Sequence, residues 1–88
     1  MPALELTVAC TAAKYWVAVD DIDVIDTQPF GHTTIPAGDH LLTWWMKGKV
    51  GDTISVTGTS GGNTVVTVAK TAITGPGPYL ASDEPFII

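Results

Sequence analysis

Twenty-nine of the 88 residues are β-branched: thirteen threonines, nine valines and seven isoleucines. Such side chains pack well on a pleated strand and lose rotamer freedom in a helix. Nine glycines and six prolines punctuate the chain about every ten residues, the spacing of a β-sandwich or barrel. No window longer than about eight residues keeps a helical apolar period free of Gly or Pro. The expectation is an all-β chain with little or no helix. It is a single antiparallel β-sandwich of about six or seven strands, immunoglobulin-like or prealbumin-like.

The strands read off by alternation. Leu4, Leu6, Val8 and Cys10 share one face of a first strand, with Glu5, Thr7 and Ala9 on the other. A second strand over Lys14 to Asp20 puts Tyr15, Val17 and Val19 opposite Trp16 and Ala18. Asp21 to Asp26 reads as its extended continuation, with Ile22 and Val24 on one face and Asp21, Asp23 and Ile25 on the other. Pro36-Ala37-Gly38-Asp39 has the residues of a tight reversal. A hairpin there makes Ile35 face His40, Thr33 face Leu42 and Gly31 face Trp44. Asp52 to Gly58 directs Ile54 and Val56 inward. Ser60-Gly61-Gly62-Asn63 is a strong hairpin signal, and Thr64 to Lys70 returns with Val66 and Val68 inward. Residues 1–74 form the expected sandwich. Residues 75–88 form a Gly/Pro spacer and an apolar tail, Tyr79, Leu80, Phe86, Ile87 and Ile88, that packs on the same or a neighbouring chain. The Pro-rich spacer favours the neighbour.

Composition narrows the function. One domain of this size buries only about 60% of the surface its unfolded chain exposes. Four lysines and no arginine stand against nine carboxylates, a formal charge of −5. Nucleic-acid binding needs a basic face that displaces counterions, so nucleic acid and anionic membrane surfaces are not expected partners. No run approaches the roughly 18 apolar residues of a membrane helix. Cys10 is alone, which allows no internal disulfide, and a small buried strand residue is its expected role. No signal peptide is visible, which leaves the localisation unknown.

The segments Val17-Ala18-Val19-Asp20-Asp21 and Thr34-Ile35-Pro36-Ala37-Gly38-Asp39-His40-Leu41-Leu42-Thr43-Trp44 resemble the PEGA-type β-sandwich repeat of bacterial surface proteins. They match its "V-x-V-D-G" strand and its "L-P-x-G-x-H-x-V" turn and strand over roughly residues 15–58. Asp21 stands where that family has Gly, and Thr27-Gln28-Pro29 replaces its Thr-Pro pair. The resemblance implies a sandwich with a non-catalytic role at the bacterial surface or outside the cell, and it carries over no catalytic residue.

Metal and catalytic chemistry are weakly represented. Asp20, Asp21, Asp23 and Asp26 could supply oxygens to calcium, but the run lacks the glycine of an EF-hand loop and reads as a charged edge strand. In the expected hairpin His32 faces Thr43, about 10 Å along the strand from His40, too far to share one zinc. His40 is expected to sit beside the turn and hydrogen-bond backbone. No metal and no cofactor are expected. No nucleophile elbow, phosphate loop or catalytic pair is present, and a pocket of about 300 Å³ or more is not expected in so small a chain. Enzymatic activity is therefore not expected.

The tryptophans carry the remaining signal. Trp44 and Trp45 are adjacent, so they point to opposite faces of one strand. Trp16, Trp44, Trp45 and Tyr15 are the candidate binding residues; Tyr79, Phe86, Ile87 and Ile88 are the candidate interaction tail. The expected function is a non-catalytic binding or assembly module, acting through a protein partner or self-association. The alternative is a carbohydrate-binding module that uses exposed tryptophan or tyrosine rings.

Overall fold

A computed structural model describes residues 1–76 and 78–88; Gly77 of the Gly/Pro segment lies outside the described residues. The described chain is all β. Its eight strands, slightly more than expected, are β1 (Ala3–Cys10), β2 (Lys14–Val19), β3 (Ile22–Asp26), β4 (Phe30–Thr34), β5 (Asp39–Lys47), β6 (Thr53–Ser60), β7 (Asn63–Ala72) and β8 (Tyr79–Ile87). They form two four-stranded antiparallel sheets, ordered β4-β1-β6-β7 and β3-β2-β5-β8. Within the first sheet β1 pairs with both β4 and β6, as expected of a β-sandwich whose strands cross between sheets.

The core lies between the sheets and follows the period-two pattern. Leu4, Leu6, Val8, Ile54, Val56, Val66 and Val68 enter it from one sheet. Tyr15, Val17, Val19, Ile25, Leu42, Trp44, Met46 and Phe86 enter it from the other. Each of the larger side chains gains about 1.5–3 kcal/mol by leaving water.

Among the described residues two connections are hairpins. Gly61 and Gly62 adopt φ of 58° and 82° between the paired Ser60 and Asn63, the positive dihedrals of a type I′ loop. The other hairpin corrects the sequence reading. Asp20 and Asp21 adopt φ of 52° and 66° between the paired Val19 and Ile22. The chain therefore reverses where it was expected to continue extended. Asp tolerates this left-handed conformation better than most residues. A bulge in the β2–β3 pairing then changes the facing of β3. Ile25 is fully buried and Ile22 is exposed, the opposite of the simple alternation.

The expected hairpin between His32 and Lys47 does not form. β4 pairs with β1, placing His32 opposite Glu5 and Gly31 opposite Leu6. β5 belongs to the other sheet, between β2 and β8. Packing explains the separation. A Cβ on Gly31 would lie 2.7 Å from Ile25 Cγ1, so the bare backbone of β4 closes against β3. Leu42, Trp44 and Met46 need a full inner sheet face, which β2 and β8 supply.

The segment after the Gly/Pro run is the fourth strand of this sheet. β8 pairs with β5 along its whole length, from Lys47–Tyr79 to Asp39–Ile87. Ile88 and Gly38 exchange two backbone hydrogen bonds, and the Gly48 N–H donates to the Pro78 carbonyl. Those bonds fix the phase of the ladder, so the amides of residues 79, 81, 83 and 87 point to the open edge. Pro85, opposite Leu41, has no N–H to offer there, which blunts the edge.

Candidate ligand-binding face

The outer face of the β3-β2-β5-β8 sheet carries the candidate site. Trp16 on β2 is the direct cross-strand partner of Trp45 on β5, and Tyr79 enters from β8 beside Lys47. The Trp16 and Trp45 ring centroids are 3.8 Å apart at 39°. Trp45 and Tyr79 are stacked at 5.3 Å and 16°. The three rings form a strip across three strands. With strands about 4.8 Å apart, the strip spans about 10 Å.

The strip floors a hollow of about 430 Å³ lined by Ala13, Lys14, Trp16, Trp45, Lys47, Gly48 and Tyr79. It is an open surface hollow and not the enclosed pocket that so short a chain was not expected to hold. The hollow is built on the outside of a sheet and takes no volume from the core. Lys14 and Lys47 are also direct cross-strand partners, and the Lys47 ammonium lies 5.5 Å from the Tyr79 ring centroid, in cation–π range. Asp26 stands directly beside Trp16 on β3, and farther along the face are Asp23 beside Ala18 and Asp83, which accepts a hydrogen bond from the Thr43 hydroxyl. Beyond them lie exposed Leu41, Pro85 and Ile87.

The candidate residues thus divide between the two faces. Trp44 and Tyr15 are core residues, 3% and 8% exposed, because they share the inner parity of Val17, Leu42 and Met46. They are removed from the binding set. Trp16 and Trp45 stay in it, and Tyr79, 51% exposed, joins them. Of the remaining tail residues, Phe86 is buried with its ring 5.6 Å from that of His40, Ile88 is half-buried, and Ile87 projects into solvent.

A second polar constellation sits at the other end of β5. His40 Nδ1 is 2.5 Å from an Asp20 carboxylate oxygen, and Nε2 is 2.6 Å from the Pro36 carbonyl oxygen. Both partners are acceptors, so only the imidazolium donates at both ends. The hydrogen bond to Asp20, then that to Pro36, raises the His40 pKa above its ordinary value. The bond from His40, then the Leu41 N–H donated to the other Asp20 oxygen, lowers the Asp20 pKa. Sequence reasoning foresaw a backbone partner for His40 but missed Asp20. The available signal was parity: His40 shares the inward positions of Leu42 and Trp44, and a buried histidine needs partners.

The other candidate ligands are dispersed. His32 and His40 stand in different sheets. Among the described residues no three His, Cys, Asp or Glu side chains converge on a metal position. Cys10 is half-buried with its Sγ 4.0 Å from Met46 Sδ, and burial raises its thiol pKa. No described helix is long and apolar enough to cross a membrane. Comparison of the chain with protein-family models, with curated proteins and with solved structures finds no match in any of the three.

Proposed function

We propose that this chain is a non-catalytic binding module that holds a sugar against the ring group of Trp16, Trp45 and Tyr79. The observation that carries this reading is the strip itself: three partly exposed rings, from three neighbouring strands, on one face of a sheet. Trp45 lends ring face to both of its neighbours, so a sugar meets the strip through the ring edges and the face area left uncovered, a half-wet surface that suits C–H and hydroxyl groups together. Residues held on strands keep their geometry better than residues on loops. The hollow is lined by no carboxylate, histidine or cysteine, so it offers a surface for holding a ligand and not an acid–base pair for cleaving one. Affinity electrophoresis in gels containing soluble polysaccharides tests the reading. Retardation that disappears in Trp16→Ala supports it; unchanged mobility in every polysaccharide overturns it.

A second reading, a protein partner or self-association, draws on a different observation. Leu41, Pro85 and Ile87 are exposed together at the far end of the same face, and Ile22 is exposed at the β2–β3 hairpin. Light scattering over a concentration series, with Ile87→Lys as the control, separates this reading from the first.

A further inference from the structure

We propose that the sugar taken by this face carries a single carboxylate, a uronic acid with neutral neighbours, and that Lys14 and Lys47 bind that carboxylate. The inference rests on the sugar-binding reading and adds the class of sugar. It begins with the distribution of charge. The chain has four lysines, no arginine and nine carboxylates, yet two of the four lysines stand directly opposite each other at one end of the aromatic strip. Like charges placed directly across a strand pair repel and destabilise the sheet. Neither has an anionic partner: the one ion pair among the described residues is His40–Asp20. The seven residues lining the hollow include both lysines and no acid.

A bound carboxylate relieves that repulsion. Lys14 and Lys47 line the same hollow, where two ammonium groups can form charge-assisted hydrogen bonds to one carboxylate. The rest of the face sets the limit on charge. Asp26 stands directly beside Trp16 at the side of the strip, Asp23 and Asp83 lie farther from the lysines, and the chain as a whole is negative. A polymer with an anion on every unit would lay some of those anions against these aspartates. Oligonucleotides meet the same repulsion. A ligand with one carboxylate at the lysine end and neutral rings over the tryptophans fits both halves of the face.

The test compares two disaccharides, cellobiouronate and cellobiose, by NMR titration of the intact chain, following the indole N–H resonances. The acidic sugar is expected to bind about ten-fold more tightly at low salt, the gain of a charge-assisted bond, and the preference should shrink as NaCl is added. Lys14→Gln with Lys47→Gln should abolish the preference; Trp16→Ala should weaken both sugars. Equal binding of the two sugars, or a preference that survives loss of both lysines, overturns the carboxylate assignment and leaves the sugar-binding reading standing. Absence of shifts with either sugar overturns both readings. Tighter binding of oligothymidylate or of polygalacturonate than of cellobiouronate also overturns the single-carboxylate assignment.

Discussion

Trp44 and Trp45 are neighbours in sequence and belong to different worlds. Trp44 is 3% exposed and fills the space between the sheets. Trp45 lies on the outer face, between Trp16 and Tyr79, with solvent above it. Around Trp44 every neighbouring inner position of β5 is apolar or, as with His40, fully partnered. Around Trp45 the rings meet an unpaired lysine couple and a row of aspartates. The inner face is closed in shape and in charge; the outer face is open in both. The first kind of surface stabilises the fold, and the second is the one proposed to take a ligand.

The sharpest way to break this comparison is to truncate each tryptophan. Trp44→Ala should cost about 3–5 kcal/mol of stability, as deletion of a buried aromatic does, whereas Trp45→Ala should cost about 1 kcal/mol, the scale of aromatic pairing. Urea denaturation of both variants measures the difference. Near-equal losses would mean that the outer strip is part of the fold's support.

The two polar constellations of the sheet give the next effect. The His40 pKa is raised in the folded chain, so its contribution to stability is full below the ordinary histidine value of about 6.5 and is lost as pH rises through the raised one. The Asp20 pKa is lowered, so its contribution is present above the ordinary carboxylate value and is lost as pH falls through the lowered one. Stability should therefore be highest in mildly acidic solution and decline toward alkaline pH. Melting temperatures from pH 5 to about 9 check this; His40→Gln should flatten the profile through the histidine range. A wild-type profile that rises with pH would show that the imidazolium is not the stabilising form.

Edge protection comes third. Pro85→Val restores an outward N–H on β8, and the expected result is concentration-dependent association seen by sedimentation velocity. The smallest effect concerns the lysine couple. Lys14→Gln should leave the fold intact and stabilise it by roughly 0.2–1 kcal/mol by removing a like-charged cross-strand pair. A loss of stability instead would show that the lysine stem contributes packing that outweighs the repulsion.

Several elements were legible from the order of residues. The alternation of Leu4, Leu6 and Val8, the Gly61-Gly62 hairpin, and the inward Ile54, Val56, Val66 and Val68 are local signals, each carried by a handful of adjacent residues. Other features were not. Pro36-Ala37-Gly38-Asp39 has the composition of a hairpin turn and instead carries the chain from one sheet to the other, because turn residues specify a change of direction and not the partner of the next strand. Asp20-Asp21 lacks the glycine that marks most type I′ loops, so the reversal was hidden; Asp20 is held there by His40 and Leu41, twenty residues or more away. Of the candidate site, Trp44 and Trp45 were legible as pointing to opposite faces but not which of them points outward, and Tyr79 was legible only as part of an apolar tail.

What the sequence by itself determined is the class of structure and the division of each strand into two faces. Period-two patterning and β-branched content act within a strand and need no knowledge of its neighbours. What only the tertiary structure decided is which strands lie side by side. That choice placed β8 against β5 and so brought Tyr79 to Trp45, set Lys14 opposite Lys47, and joined Asp20 to His40. Strand pairing is settled by how two whole sheet faces fill the space between them, a condition spread over the entire chain and visible in no single segment of it.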